Sequence, residues 1–234
     1  MSVFKFRHFN ILQADNPMKV GTDAMILGSI IDASGKTRGL DIGAGTGVLS
    51  LMIAQRNPAI EINAVEIDDL ASTECQSNFD TSPWEERLSV HSGDFLDFTF
   101  DETFDLIFSN PPYYQTRNEN LEHRKAAARH ESSLPMKEMV TRICELLTDQ
   151  GDFWVIVPSE VAEVWFDECR NAGLFINLAI DVTGKEEGPV KRIILRASAD
   201  KKPEERRTLT IRNTDGEYTK AYKELTRNFH DREV

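Results

Sequence analysis

The sequence predicts an α/β fold: a doubly wound, mostly parallel sheet of seven strands that includes a C-terminal antiparallel hairpin strand. Short apolar runs alternate with helical stretches of about ten residues, which is the pattern of strand–helix–strand units with parallel strands. The last two apolar runs, 175–182 and 190–197, are separated by a short turn-forming segment rich in glycine and charge, 184–189. That spacing indicates an antiparallel hairpin at the end of the sheet.

The elements follow in order from the periodicity of apolar residues. Alternation in residues 4–7 predicts a short strand or hairpin, and residues 24–31 a helix for which Thr22 or Asp23 is a suitable N-cap. The sheet strands are predicted at 40–42, 61–66, 88–91, 104–108, 153–157, 175–182 and 190–197. Further helices are predicted at 48–55, 71–79, 136–147 and 160–171, a long loop at 115–133, and in the tail a strand at 208–211 and a helix at 218–226.

The chain of 234 residues has the length of one α/β domain. We therefore expect a single domain over 1–234, with an N-terminal extension at 1–38, a core at 39–198 and a C-terminal extension at 199–234. No stretch approaches the ~20 apolar residues that would span a bilayer. Three separated cysteines without a CxxC pair favour a reducing cytoplasm and argue against a zinc site. We expect a cytoplasmic monomer that needs no metal.

The net charge of −12 bears on possible partners. A protein that grips nucleic acid through diffuse electrostatics is usually basic. This chain therefore either avoids nucleic acid or binds it through local basic patches on an acidic body.

A glycine-rich loop follows the first predicted core strand, with glycines at Gly43, Gly45 and Gly47. Glycines allow a tight turn and a close approach of the backbone to a ligand. The spacing is GxGxG rather than the GxGxxG of dinucleotide binders, and the chain has no GxxxxGK[ST] phosphate loop. The loop therefore indicates a nearby ligand without requiring a pyrophosphate, although an ordinary tight turn would read the same way.

Carboxylates surround this loop in the predicted sheet. Asp41 precedes it, Glu66 ends the next strand where an acid can bind ribose hydroxyls, and Asp94, followed by Phe95, ends the third. These acids would repel phosphate but suit a cationic nucleoside such as S-adenosylmethionine, in which Asp94 could accept a hydrogen bond from the adenine amine. Each acid alone could equally be a solvated strand end.

The segment Asn110-Pro111-Pro112-Tyr113 follows the fourth predicted strand. Two prolines end the strand because neither donates a ladder hydrogen bond, and they fix the direction of the neighbouring carbonyls. An amide, two stiff carbonyls and an aromatic ring then meet at the carboxyl end of a strand, where ligands bind in open α/β sheets. A plain turn is the alternative, since Asn-Pro is a common turn signal.

Together, these motifs over residues 39–198 resemble the class I methyltransferases, which use S-adenosylmethionine. The resemblance implies that the segment from Asn110 to Tyr113 binds a planar amine or amide nitrogen. The Asn110 amide oxygen and the Pro111 carbonyl would each accept one N–H, and Tyr113 would stack on a base. A base in a stacked nucleic acid would have to be flipped out or already unpaired.

The likeness extends over nearly the whole chain to the bacterial tRNA adenine-N6 methyltransferases, which modify the adenine beside the anticodon of a valine tRNA. It is carried by residues 18–24, 109–114 and 124–131 and by the tail around 218–229. It implies that Lys19, Thr22 and Asp23 line the cofactor side and that Arg129 and His130 lie near the substrate.

Two groups of basic residues are candidate phosphate contacts, although each also contains acids and could be a solvated face. The first comprises Arg117, Arg124, Lys125 and Arg129, with His123 and His130. The second comprises Lys201, Lys202, Arg206, Arg207 and Arg212.

Other activities share the loop from Asn110 to Tyr113. A glutamine-N5 methyltransferase of release factors also methylates a planar nitrogen, that of a side-chain amide. Such an enzyme normally carries a helical domain of some 70 residues before its glycine loop. Here 39 residues precede Leu40, which counts against that reading. Guanine-N2 methylation of ribosomal RNA and binding of the cofactor without catalysis are the remaining alternatives.

Overall fold

A computed structural model describes residues 3–13, 19–111 and 133–230, without the side chains of 133–135. Within these ranges an eight-stranded sheet is preceded by a two-stranded hairpin. The strands are β1 Val3–Lys5, β2 Asn10–Leu12, β3 Arg38–Ile42, β4 Glu61–Glu66, β5 Leu88–Ser92, β6 Phe104–Ser109, β7 Leu147–Pro158, β8 Phe175–Lys185, β9 Val190–Ser198 and β10 Glu205–Arg212. The α-helices are α1 Thr22–Ile30, α2 Val48–Arg56, α3 Asp69–Asp80, α4 Ser133–Leu146, α5 Ala162–Asn171 and α6 Lys220–Thr226.

The order of strands across the sheet is β10-β8-β9-β7-β6-β3-β4-β5. All neighbouring pairs are parallel except those of β9, which runs antiparallel to both β7 and β8. The predicted fold class is confirmed. Two details differ: the tail contributes an eighth strand, β10, and the antiparallel strand β9 lies inside the sheet rather than at its edge.

Two apolar clusters cover the faces of the sheet. One contains the side chains of α1 and α2 and extends to Tyr222 of α6 and to Phe6 of the N-terminal segment. The other contains those of α4 and α5. Because both faces are covered, the central strands are apolar along their length, as parallel strands usually are. Among the described residues, none of the helices combines the length and apolar character needed to cross a membrane.

Helix α1 begins differently from the prediction. Its N-cap is Gly21, and no side chain caps it. Asp23, a predicted cap, instead accepts a hydrogen bond from Arg192 Nε at 2.7 Å. The cause is tertiary, because Arg192 lies on a strand that local sequence cannot place beside α1.

Candidate active site

The glycine loop forms a compact turn at the edge of the sheet where the parallel strands end, here termed the carboxyl edge. Gly43, Gly45 and Gly47 have φ values of 69°, 56° and 75°, a left-handed region that favours glycine. The amides of Gly43 and Ala44 donate to the carbonyl of Val65 in β4, at 2.9 and 3.2 Å. Among the described residues, no atom would lie within 4 Å of a Cβ added at Gly43, so they leave this side of the loop open to a ligand.

Glu66 ties the loop to the end of β4. Its Oε2 accepts a hydrogen bond from the Gly45 amide at 2.8 Å, and its Oε1 accepts one from the Asp68 amide at 3.0 Å. The side chain is buried, which makes these backbone partners important for holding the charge. Each carboxylate oxygen keeps a further lone pair, so the predicted contact with ribose hydroxyls remains chemically open.

Asp41 lies beneath the loop. It is completely buried; Ser50 Oγ in α2 donates to Oδ2 at 2.7 Å, while Oδ1 has no hydrogen-bond partner among the described residues. Burial, with a smaller contribution from the Glu66 charge, raises the pKa of Asp41 to about 7. A cofactor could reach Asp41 only if the loop uncovered it, so its predicted contact remains a prediction.

The turn after β5 carries Asp94 and Phe95. Asp94 is exposed, and its Oδ1 accepts a hydrogen bond from the Leu96 amide at 2.9 Å. The amide of the preceding Gly93 donates to the Glu66 carbonyl at 2.9 Å, which brings this turn beside the glycine loop. The Phe95 side chain is buried in the core that packs α4 and α5, so only its backbone is a candidate for cofactor contact.

Asn110 and Pro111 lie half-buried at the end of β6. The fully buried Ser109 donates through Oγ to the Ile42 carbonyl at 2.7 Å, which fixes the end of β6 against the end of β3. Asn110 therefore directly follows β6, which is the neighbour of β3, and β3 is the strand that leads into the glycine loop. The other predicted residues of this region lie outside the described residues: Pro112, Tyr113, Arg117, Arg124, Lys125, Arg129 and His130.

The start of α1 lies at the same edge. Helices α1 and α2 run side by side in one direction, because Arg56 at the end of α2 donates to the carbonyls of Ser29 and Ile31 at the end of α1. Lys19 and Thr22 are exposed there. Asp23, however, faces Arg192 and a neighbouring cavity rather than the glycine loop.

Asn78 of α3 is a positioning residue that the sequence does not reveal. It is buried, donates to the carbonyls of Thr46 and Leu12 at 2.9 and 3.0 Å, and accepts from the Leu12 amide at 2.7 Å. It thus joins the N-terminal hairpin to the glycine loop. No local pattern marks such a role, because its partners are distant in the chain.

Ile67, which follows Glu66 directly, is a second residue absent from the sequence-based candidates. It is 67% exposed, as is its neighbour Leu70 at 66%. Large exposed apolar side chains beside a ligand site are informative, because they can cover the flat face of a bound ring. An apolar residue directly after a strand-end acid is the signal that could have identified it.

These features fit S-adenosylmethionine. The open side of the loop at Gly43 lets a ligand lie close to the backbone. Glu66 and Asp94 carry acceptors for hydroxyl and amine groups, and Ile67 offers an apolar surface for adenine. The carboxylates also match the positive charge of the sulfonium and ammonium groups. The chemistry of this donor set therefore agrees with the expected cofactor.

The sequence of this chain also matches known proteins. Residues 18–163 match the family model described as "Methyltransferase small domain". The "tRNA1(Val) (adenine(37)-N6)-methyltransferase" of Escherichia coli O1:K1 is 36% identical over 230 residues, covering 97% of this chain and 94% of that protein. The protein of the same name from Escherichia fergusonii is 35% identical with the same coverage.

Solved structures show the same fold at low sequence identity. A predicted O-methyltransferase from Agrobacterium tumefaciens aligns with a TM-score of 0.69 and 17% identity, over 88% of this chain and 96% of that one. A TehB-like SAM-dependent methyltransferase from Corynebacterium glutamicum aligns with a TM-score of 0.53 and 14% identity, over 79% and 90%.

Proposed function

This chain belongs to the methyltransferase small domain family, and we propose that it transfers a methyl group from S-adenosylmethionine to the exocyclic N6 of an adenine in tRNA. The adenine is the one beside the anticodon of valine tRNA, the substrate that the names of its relatives state. The setting we propose is the cytoplasm, with the enzyme acting as a monomer.

The observation that carries this proposal is the adjacency of two strand ends. Ile42, which leads into the glycine loop, pairs with Ser109, which leads into Asn110. Neighbouring strands lie about 5 Å apart. An amine held by Asn110 is thereby within reach of a cofactor held by the loop.

The chain's own residues orient the nucleophile. The exocyclic nitrogen of adenine is a weak nucleophile because its lone pair is delocalised into the ring. When the Asn110 amide oxygen and the Pro111 carbonyl each accept one N–H, the lone pair is directed out of the ring plane and positive charge on the nitrogen is stabilised. When bound, the cofactor would supply an electrophilic methyl group on a sulfonium, so that the nitrogen would gain a bond to the methyl carbon as the bond from that carbon to sulfur breaks.

A strong general base is unnecessary in this scheme. The methylated nitrogen carries a positive charge and is acidic, so it gives up one proton to solvent after the transfer. Ser109 has a positioning role, because its hydrogen bond to the Ile42 carbonyl fixes the distance between the two loops. Tyr113 is proposed to stack on the flipped base.

The decisive experiment offers two acceptors to the enzyme with labelled S-adenosylmethionine. One is total tRNA from a strain that lacks the gene, and the other is purified release factor, the substrate of the glutamine-N5 alternative. We expect label in the tRNA and, after digestion, N6-methyladenosine. Label in the release factor alone would overturn the proposal. A parallel incubation with ribosomal RNA tests the guanine-N2 alternative, which N2-methylguanosine in the digest would favour.

A further inference from the structure

The cavity beside Asp23 has a volume of about 370 Å³ and opens next to the start of α1. Its walls come from α1, from the β8–β9 hairpin and from the end of β10 and the segment after it. It is lined by Thr22, Asp23, Val182, Gly184, Lys191, Arg192, Ile211, Arg212 and Tyr218. Three of these side chains are cationic and one is a carboxylate, on a chain whose net charge is −12. We call this the basic cavity.

Arg212 is held in a fixed orientation in the basic cavity. Its guanidinium lies 3.9 Å from the centre of the Tyr218 ring, which in turn stacks on the buried ring of Tyr222 at 4.7 Å. Its Nη1 donates to the Gly216 carbonyl at 2.7 Å, and its backbone carbonyl accepts from the backbone amide of Glu186. A guanidinium ordered in this way loses little entropy when it binds a phosphate with its planar donors.

The other two cations are only partly neutralised. Arg192 uses Nε for Asp23 and Nη1 for the Lys191 carbonyl, and within the described residues its Nη2 makes no hydrogen bond. Lys191 is exposed and has no ion-pair partner in the described part of the chain. The nearby Glu186 carboxylate accepts from the Thr214 amide, so it is directed to the backbone.

The structure also separates Arg212 from the other basic residues of the tail. Arg206 pairs with Asp181 at 2.9 Å, Arg207 with Glu205 at 2.6 Å and Lys202 with Asp200 at 2.7 Å. Lys201 lies over the ring of Phe175, at the first residue of β8 and hence at the opposite edge of the sheet. Within the tail group named above, Arg212 alone lines the basic cavity.

The basic cavity lies close enough to Asn110 for one RNA strand to reach both. Ser109 pairs with Val155, whereas Arg192 pairs with Pro158, three residues further along β7. Three residues correspond to about 10 Å along the strands, and the two strand spacings from β6 to β9 to about 10 Å at right angles to them. Arg192 is thus roughly 14 Å from the end of β6, a distance that nucleotides next to a flipped base can span.

We propose that the basic cavity binds a phosphodiester group of the RNA strand beside the target adenine, with Lys191, Arg192 and Arg212 as donors. This proposal rests on the proposed function, because it assigns a subsite for the same substrate. It explains how an acidic chain holds RNA: three cations line one cavity next to the carboxyl edge, so the chain does not need a basic surface overall.

The test measures binding of unmodified valine tRNA transcript at several salt concentrations. Lys191→Gln combined with Arg212→Gln should weaken binding about tenfold and reduce the slope of log Kd against log salt by about 1 to 2, the effect of losing one or two phosphate contacts. The KM for tRNA should rise while kcat and the calorimetric affinity for S-adenosylmethionine stay near wild type. Arg212→Lys, which keeps the charge, should retain most of the slope.

The matched control is Lys201→Gln with Lys202→Gln, which removes the same charge at the other edge and should leave the salt slope unchanged. If loss of the Arg212 stack lowers the thermal unfolding temperature of the double variant, Lys191→Gln alone tests RNA binding with that stack intact. If wild type methylates tRNA but the double variant binds it with wild-type affinity and slope, the basic cavity is not an RNA site, although the proposed function stands. If wild type methylates no RNA, the proposed function fails and this inference with it.

Discussion

The glycine loop allows a sharp prediction, because two of its glycines share a backbone conformation but face different surroundings. Gly43 and Gly47 both have left-handed φ values, 69° and 75°. No atom of the described residues would lie within 4 Å of a Cβ at Gly43, whereas a Cβ at Gly47 would lie 2.5 Å from Phe79 Cε1 and 2.7 Å from Cys75 Sγ. Alanine substitutions at the two positions therefore separate backbone strain from crowding.

The expected losses of stability follow from these distances. A left-handed alanine costs about 1–2 kcal/mol, which is the whole effect expected for Gly43→Ala. Phe79 and Cys75 are fully buried and cannot move into solvent, so Gly47→Ala adds an overpacking cost of about 1–3 kcal/mol. At this chain length each kcal/mol lowers the Tm by about 2–4 °C.

Equilibrium urea denaturation, paired with calorimetry of S-adenosylmethionine binding, measures both consequences. Gly43→Ala should retain more stability than Gly47→Ala but bind the cofactor more weakly, because its methyl group projects into the open side of the loop. Gly47→Ala should lose more stability and retain affinity in the folded fraction. Equal destabilisation by the two variants would refute the crowding argument, and unchanged cofactor affinity in Gly43→Ala would remove the open side of the loop from the binding site.

Substitutions at three further residues test other parts of the site. Asn110→Ala should lower methyl transfer to tRNA about 100-fold with cofactor affinity within twofold of wild type; calorimetry that shows lost cofactor binding would contradict this role. Asp94→Ala should weaken cofactor binding by about 1–3 kcal/mol, and Asp94→Asn, which keeps the acceptor for the Leu96 amide, should show a similar loss; full affinity in Asp94→Asn would remove the carboxylate from the adenine contact. Asp41 has a pKa of 3.8 in the unfolded chain and about 7 when folded, so the folded protein binds this proton more tightly and wild-type stability falls as pH rises through that interval. The free energy of unfolding of Asp41→Asn, relative to that of wild type, should therefore be a few kcal/mol higher at pH 8 than at pH 5 in urea denaturation. An equal difference at both pH values would show that Asp41 titrates normally.

Local sequence was enough to predict the order of elements and the glycine loop. Apolar periodicity located most core strands and helices to within a few residues, because each buries one face or is buried on both. The exception is β7, which begins at Leu147 and not at residue 153. The left-handed glycines could be anticipated from their spacing after a strand. Strand-end acids were found for the same reason: the carboxyl ends of parallel strands share one edge.

What sequence could not predict depends on contacts between distant segments. β10 pairs with β8 and not with β9, the strand that precedes it in the chain. β9 in turn lies between two earlier strands, β8 and β7. Whether an acid faces ligand or core is likewise tertiary: Asp41 is sealed beneath the loop, while Asp94 is exposed. The pairing of Arg206 and Arg207 with carboxylates, against the open position of Arg212, follows from the same long-range geometry.

The N-terminal hairpin has a consequence for the order in which the protein matures. Phe6 bridges to His230, and the Arg7 amide donates to the Phe229 carbonyl at 3.0 Å, so two segments that lie far apart in the chain are paired. Synthesis at roughly 5–20 residues per second separates the two by many seconds. The same hairpin is joined through Asn78 to the glycine loop. The hairpin is therefore completed long after it is made, and the loop gains its full support only once residues 229 and 230 have emerged.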